Sequence, residues 1–435
     1  PMRNSGMLSH TITGIGDGDV FDNSTALNAS LVTDDQRAGL YIFGQNRHRS
    51  AYDHDGDGYS EIPKLHGQTI GFRSFLKTTT YSKLTFEYHH MEEFRRGGDL
   101  LNRPPHEANV AEQTEHSING GGLKFDYFSP NENHRFNVFA SAQHINRDSY
   151  YGPGDRDPLD AYGNTTDLNW MAGSQYVYSF GKCIFMPSDL TAGIEFNQDK
   201  LEDNMWGYNR TVDQKVNIGS AFLQNEWKND HWGFLIGGRL DKHNLIDHVI
   251  FSPRANLRYN PTENINLRFS YSSGFRAPQA FDEDLHVENV GGNVAMVELA
   301  DNLKEERSQS LSASADIYHR FGAFQVNFLV EGFYTKLSDV FALTDGEVVD
   351  GILTRTRHNA SGAQVLGLTL EGKMAYLNKI QVQAGVTLQQ SHYSKPHIWN
   401  KEAPAVKKMM RTPNTYGYFT ATYTPIKPLS IALSG

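Results

Sequence analysis

One stretch of the chain carries side chains at metal-ligand spacing. In Asp53-His54-Asp55-Gly56-Asp57-Gly58-Tyr59-Ser60-Glu61, carboxylates alternate and glycines let the backbone wrap. Oxygen ligands in that order suit a hard cation such as calcium, with Asp53, Asp55 and Asp57 as carboxylate ligands. Tyr59 would offer its carbonyl, and Glu61 would complete the set directly or through water. Lys64 stands where an EF-hand has its bidentate Glu, so this is not an EF-hand. The same residues also suit a solvated loop of Asx turns.

Other polar groups gather where strand-like runs give way to loops. His89-His90 is followed by Glu92, Glu93, Arg95 and Arg96. Arg95 and Arg96 have the chemistry to meet an anion such as phosphate, or to remain a solvated loop base. Tyr150, Tyr151, Trp206 and Tyr208 would stack on a flat ligand or anchor at an interface. No Ser/His/Asp arrangement, phosphate-cradling glycine loop, Cys-x-x-Cys or His-Glu-x-x-His is present. An enzyme or a catalytic cofactor is therefore not expected.

The elements that position these groups read as strands. Ile265, Leu267, Phe269 and Tyr271 alternate with Asn266, Arg268, Ser270 and Ser272. Leu311, Ala313, Ala315 and Ile317 alternate with Ser310, Ser312, Ser314 and Asp316, and Ile380 to Gln389 repeats the pattern. Arg254, Arg258, Arg268, Asp316 and Glu371 all fall on polar faces. In a bilayer a charge facing lipid is costly, so those faces belong to a wet lumen.

Composition bounds the class. The 435 residues are 38% hydrophobic, and no run approaches the length of a membrane helix. The chain either avoids membranes or crosses them as strands. Aromatics reach 12%, which suits interfacial girdles. A net charge of -10 argues against nucleic acid as a partner. Cys183 is the single cysteine, so no intrachain disulfide is possible, and it reads as a small apolar residue.

Nine short turns are expected: Asp34 to Gln36, Thr78 to Ser82, Ser129 to Asn133, Gly181 to Asp189, Asn229 to His231, Pro261 to Asn264, Gly322-Ala323, Leu377 to Lys379 and Pro425 to Pro428. The opposite connections, around 46–67, 92–115, 145–166, 200–213, 276–308, 341–361 and 391–411, are long and polar, with a short exception near Ile246 to Phe251. Short turns on one rim and long loops on the other predict an all-β, transmembrane antiparallel β-barrel, with the long rim facing outward. About 18–19 strands are expected within residues 1–435, a fragment lacking both ends of a barrel of about 22 strands. The first ~30 residues carry weak strand signal, with Asn28 to Val32 the best place for an early strand.

Several segments resemble the barrel of TonB-dependent outer-membrane receptors. Ser252-Pro253-Arg254-Ala255-Asn256-Leu257 leads into Gly274-Phe275-Arg276-Ala277-Pro278. Asp301 to Glu306, Gly332 to Asp339, and Asn359 to Glu371 with Gly367 follow in the family's order, and Gly219 to Glu226 and Gly237 to Asp241 add support. The likeness runs from about residue 36 to the last residue, with no plug domain or energy-coupling box in evidence. It implies a monomeric, lipid-embedded transporter in the bacterial outer membrane. Such a transporter takes up a scarce large nutrient (ferric siderophore, cobalamin or haem) and draws energy from a TonB-type protein.

The resemblance also colours the candidate residues. Arg95 and Arg96 would meet an anionic siderophore. In the family's cobalamin branch calcium orders early external loops, and the aspartate loop is the second external one by strand counting. His286 lies between Phe275-Arg276-Ala277-Pro278 and Asp301-Asn302-Leu303, like the haem-ligating His of haem receptors, although a structural role for these boxes also fits. A passive porin and a soluble β-rich binding protein are the competing classes.

Overall fold

The computed structural model describes residues 3–16, 18–153, 158–290, 293–349, 351–398, 404–410 and 412–435. The wall begins with β1 (Ser5–Ile15), β2 (Val20–Val32), β3 (Ala38–Arg49), β4 (Ser60–Thr79), β5 (Ser82–Gly98) and β6 (Val110–Phe128). It continues through β7 (His134–Pro153), β8 (Tyr162–Cys183), β9 (Met186–Met205), β10 (Arg210–Lys228), β11 (Trp232–His243), β12 (Ile250–Thr262) and β13 (Ile265–Arg276). The chain then leaves the wall for helix α1 (Asp282–Leu285) and strands β14 (Glu288–Val290) and β15 (Asn293–Leu299). It returns as β16 (Glu306–Phe321) and β17 (Phe324–Ser338), and leaves again as the hairpin β18 (Phe341–Val349) and β19 (Ile352–Asn359). The last elements are β20 (Ala363–Tyr376), β21 (Ile380–His397), β22 (Val406–Lys408), β23 (Thr415–Ile426) and β24 (Leu429–Ser434).

Twenty strands form one sheet in which each wall strand pairs antiparallel with the next. The three-residue β22 extends the same edge of β21 that pairs with β23, so nineteen strands stand side by side. All nine expected short turns fall on one rim, between consecutive wall strands. Among the described residues no helix is long and apolar enough to cross a membrane.

The ladder explains the alternation. Leu257, Phe269, Ala313, Gly332, Leu368 and Leu388 form one row across six strands. Its neighbour on the other face runs Arg258, Arg268, Ser314, Glu331, Thr369 and Thr387. Ile236 is 64% exposed and Phe269 48% exposed, so the apolar face has no second protein layer over it. A broad uncovered apolar face beside a polar inner face is the pattern of a lipid-embedded wall.

Two expectations change. The first ~30 residues hold two complete strands, β1 and β2, paired along their whole length from Ser5–Ser30 to Ile15–Val20. Their small polar residues give little propensity, but backbone pairing with β3 supplies the order. Much of the polar sequence at 92–115, 145–166 and 200–213 is strand rather than loop, because β5 to β10 are 17 to 22 residues long. A strand needs only about 9–11 residues to cross a bilayer. The excess rises above the lipid band on the long-loop rim, wet on its outer side.

Candidate functional site

Above the lipid band the tall strands and the excursions of the chain build a second core. Tyr150 and Tyr151 on β7, Met205 at the end of β9, and Tyr208 in the turn after it pack with Ala108, Ala111 and Ala161. Val287 and Met296, from the excursion after β13, complete the cluster. Tyr150 and Met205 are fully buried. Tyr150 meets Tyr162 edge-on at 4.8 Å, and the Tyr162 hydroxyl lies 2.9 Å from His106 Nδ1.

The two excursions merge into one lobe. β15 pairs in parallel with β19, giving a four-stranded sheet in the order β14-β15-β19-β18. Buried charges tie it to the wall. Arg210 Nη2 donates to Asp203 Oδ2 at 2.7 Å and to the Leu285 carbonyl at 2.8 Å, and Nη1 donates to the Asp284 carbonyl at 3.2 Å. Thr165 donates to Asp203 Oδ1 at 2.6 Å, and Arg147 donates to Thr165 at 3.1 Å. The Ala280 amide and carbonyl both bond Gln214, and buried His243 lies 3.2 Å from Gln279 Oε1.

Within the lobe Arg357 contacts Asp284 at 2.6 Å and Glu283 at 3.0 Å, and Arg276 contacts Glu283 at 2.7 Å. The Arg276 guanidinium lies 4.0 Å from the centre of the Phe281 ring and 5.5 Å from that of Phe341. The Arg276 bond holds the Glu283 carboxyl below its ordinary range, whereas burial pushes that of Asp284 up.

The structure sorts the candidate residues. Tyr150, Tyr151 and Tyr208 are not loop-surface stackers but core, and the Tyr208 hydroxyl bonds the Tyr151 carbonyl. Arg96 is also buried, donating to the Gly97 carbonyl at 3.1 Å and the Asp99 carbonyl at 3.3 Å. Arg95 remains half exposed on the inner face, 2.6 Å from Glu93. Trp206, in the turn after β9, is 65% exposed. His286 stacks edge-on with Tyr151 at 5.1 Å and lies 3.7 Å from Glu112. Its position in the lobe, over the tall wall, differs from that of the aspartate loop between β3 and β4. The structure does not gather all the candidates into one pocket. Arg210, Asp203 and Arg357, which hold the lobe, were not singled out from sequence. Their partners lie up to 75 residues away, so no local signal marks them.

The aspartate loop is closed by mutual backbone bonds between Tyr52 and Ile62 at 2.9 and 3.1 Å. Asp53 accepts from the Gly56 and Gly58 amides at 2.7 and 2.8 Å, Asp57 from the Tyr59 amide at 2.8 Å, and Glu61 from the His54 amide at 2.5 Å. Gly56 and Gly58 take φ of 76° and 92°, which side-chain-bearing residues rarely adopt. One carboxylate oxygen from each of Asp53, Asp55, Asp57 and Glu61 lies within 4.8 Å of the others. That clustering fits an oxygen-ligated cation, and the like charges repel one another without one.

A barrel wall with one lipid face, one wet face and a folded external lobe has a counterpart among known families. The model of the TonB-dependent receptor-like β-barrel matches residues 9–432. The chain belongs to the TonB-dependent receptor β-barrel family. Its place is therefore the outer membrane, with the short turns on the periplasmic rim and the lobe outside.

Solved structures of similar fold include the siderophore receptor PirA from Acinetobacter baumannii, with 14% identity and a TM-score of 0.74 over 97% of this chain. This chain covers 66% of that receptor, so it spans somewhat under two thirds of its length. The siderophore receptor PirA from Pseudomonas aeruginosa is 13% identical, with a TM-score of 0.68 over 98% of this chain and 75% of that one. The alcaligin outer-membrane receptor FauA from Bordetella pertussis is 13% identical, with a TM-score of 0.64 over 99% of this chain and 67% of that one. No curated protein matches the chain in sequence.

Proposed function

We propose that residues 1–435 are a barrel domain of an outer-membrane receptor that imports a ferric siderophore, working with a TonB-type energy-coupling protein and catalysing no covalent reaction. The observation that supports this most is the pre-assembled external lobe, which carries His286 against Tyr151 and Glu112, fixed to the tall wall beside exposed Trp206 and above a polar inner face. A rigid, mixed aromatic and charged mouth favours capture of a large polar chelate with little ordering cost. Structures of similar fold named as siderophore, enterobactin and alcaligin receptors support the same ligand class.

The aspartate loop supports a second reading. Calcium held by Asp53, Asp55, Asp57 and Glu61, with the Tyr59 carbonyl, would order this external loop for a cobalamin-type ligand. The test is a binding panel on the folded barrel in detergent, read by tryptophan quenching, with and without calcium. A ferric catecholate or hydroxamate is expected to bind saturably. Calcium-dependent binding of cyanocobalamin alone would favour the second reading, and binding of haem alone or of no panel member would overturn the first.

A further inference from the structure

The turn between β8 and β9 differs from its neighbours on the periplasmic rim. The β6–β7 turn carries Asn131, Glu132 and Asn133, and the β10–β11 turn carries Asn229, Asp230 and His231. Between them Cys183-Ile184-Phe185-Met186 is apolar throughout. Ile184 is 81% exposed and Phe185 53% exposed.

This hairpin also reaches further than the wall around it. Pairing of β7 with β8 ends at His134 and Tyr178, with a last bond from the Ser179 amide to the Asn133 carbonyl at 2.8 Å. Pairing of β9 with β10 ends at Ser188 and Trp227. β8 and β9 go on pairing as far as Cys183 and Met186, past an irregularity after Phe180. Residues 180–187 therefore form a finger with no ladder neighbour on either side. A bulge at its base bends the strand that carries it.

The finger leans over the lipid-facing side. Phe185 stacks on Trp227 with ring centres 5.6 Å apart, and meets Phe234 edge-on at 6.1 Å. Trp227 Nε1 donates to the Cys183 carbonyl at 3.0 Å, and the Asn229 side-chain amide lies 3.0 Å from the Met186 sulfur. Trp227 and Phe234 continue the apolar row of Leu257 and Phe269 across the ladder. Trp232 and Tyr259, stacked at 4.1 Å, lie two residues nearer the rim on the same face. Amphipathic aromatics of that kind mark the membrane boundary.

The backbone is strained where it presents these side chains. The Phe185 amide bonds the Cys183 carbonyl at 2.8 Å across Ile184, whose φ is 64°. A three-residue turn with a positive φ at its centre is rare, and a β-branched residue there is an outlier. Gly or Asn would fit with less strain, so isoleucine is unfavourable here unless its side chain gains something outside the protein. Leu377 in the β20–β21 turn also takes a positive φ, but Asn378 and Lys379 follow it rather than a second apolar residue. The boundary between acyl chains and headgroups offers Ile184 and Phe185 the burial that water does not. Exposed Lys182, two residues before Ile184, suits a headgroup phosphate.

We propose that the β8–β9 turn inserts Ile184 and Phe185 into the periplasmic leaflet, as a lipid anchor that carries the apolar face of the wall past its rim. The partner is a phospholipid surface. The anchor depends neither on the cargo nor on the interior of the barrel.

The test uses the folded barrel in phospholipid bilayers, with an environment-sensitive fluorophore on Ile184→Cys in a Cys183→Ser background. Asp230→Cys in the β10–β11 turn is the comparison. Brominated lipid should quench the label at 184 severalfold more than the label at 230, and iodide should quench it severalfold less. A readout without dye is the urea midpoint for unfolding from bilayers. Ile184→Asp should lower that midpoint and Ile184→Leu should keep it. With the turn in water Ile184→Asp would keep or raise it, because Asp takes a positive φ more readily.

Equal iodide quenching at 184 and 230 would overturn the anchor, and so would an unchanged or raised midpoint for Ile184→Asp. Either result would make the tip a water-facing apolar surface, of the kind a periplasmic protein covers.

Discussion

The wall has a tall side and a short side, and they are stabilised by different means. Strands β4 to β10 run 17 to 22 residues, whereas β11, β12 and β13 have 12, 13 and 12. The short strands are little longer than a bilayer needs, and lipid covers their apolar face. The upper half of the tall strands has water outside, so it needs protein contacts. The lobe supplies them, leaving the wall at β13 on the short side and docking on β7, β9 and β10 on the tall side. Membrane strands can be ordered by solvent preference alone, whereas strands above the membrane require a core and buried ion pairs.

That contrast can be broken from either side. The largest effect is expected at the buried hub. Asp203→Ala leaves Arg210 buried without its carboxylate, which costs ~3–5 kcal/mol for such pairs. Residues 277–305 should become sensitive to protease while the barrel keeps its heat-resistant gel mobility. Met205→Ala should weaken the same contact by ~2–5 kcal/mol through a cavity, read as a lower Tm of the lobe transition. On the short side Phe269→Arg should cost ~2–4 kcal/mol of folding into lipid, with no change in lobe protection.

A smaller effect is expected with pH. Arg276 holds the Glu283 carboxyl below its ordinary range. Its contribution is therefore present above the usual carboxylate pKa and is lost as pH falls through the lowered value. Asp284, pushed up by burial, acts in the opposite sense, contributing at low pH and losing that contribution as pH rises. Protease protection of the lobe, followed from neutral to acid pH, should fall in the parent. In Glu283→Gln it should start lower and lose that acid-dependent step.

The same contrast explains what the sequence disclosed. Ile265 to Ser272 showed its two faces because lipid lies on one side and water on the other. The nine turns were legible because turn geometry selects Gly, Pro, Asn and Asp locally. The upper parts of β5 to β9 read as loop because their outer face is wet, and the dyad of apolar residues disappears. Strands β1 and β2 were faint for a related reason, since Ser, Asn and Thr hold a strand through pairing rather than propensity. Tyr150, Tyr151 and Tyr208 looked like ligand platforms because Val287 and Met296, which cover them, are remote in sequence. The clustering of the Asp53, Asp55, Asp57 and Glu61 carboxylates was legible because it rests on nine consecutive residues closed by Tyr52 and Ile62.

The central claim is that alternate residues of each wall strand meet lipid and a watery bore. It is tested most directly by placing a spin-labelled cysteine at each position from Ile265 to Ser272 in bilayers, with Cys183→Ser as background. Labels at 265, 267, 269 and 271 should be relaxed by lipid-soluble oxygen, and those at 266, 268, 270 and 272 by a water-soluble nickel chelate. Equal access of the chelate to both sets, or a run protected from both agents, would contradict the account.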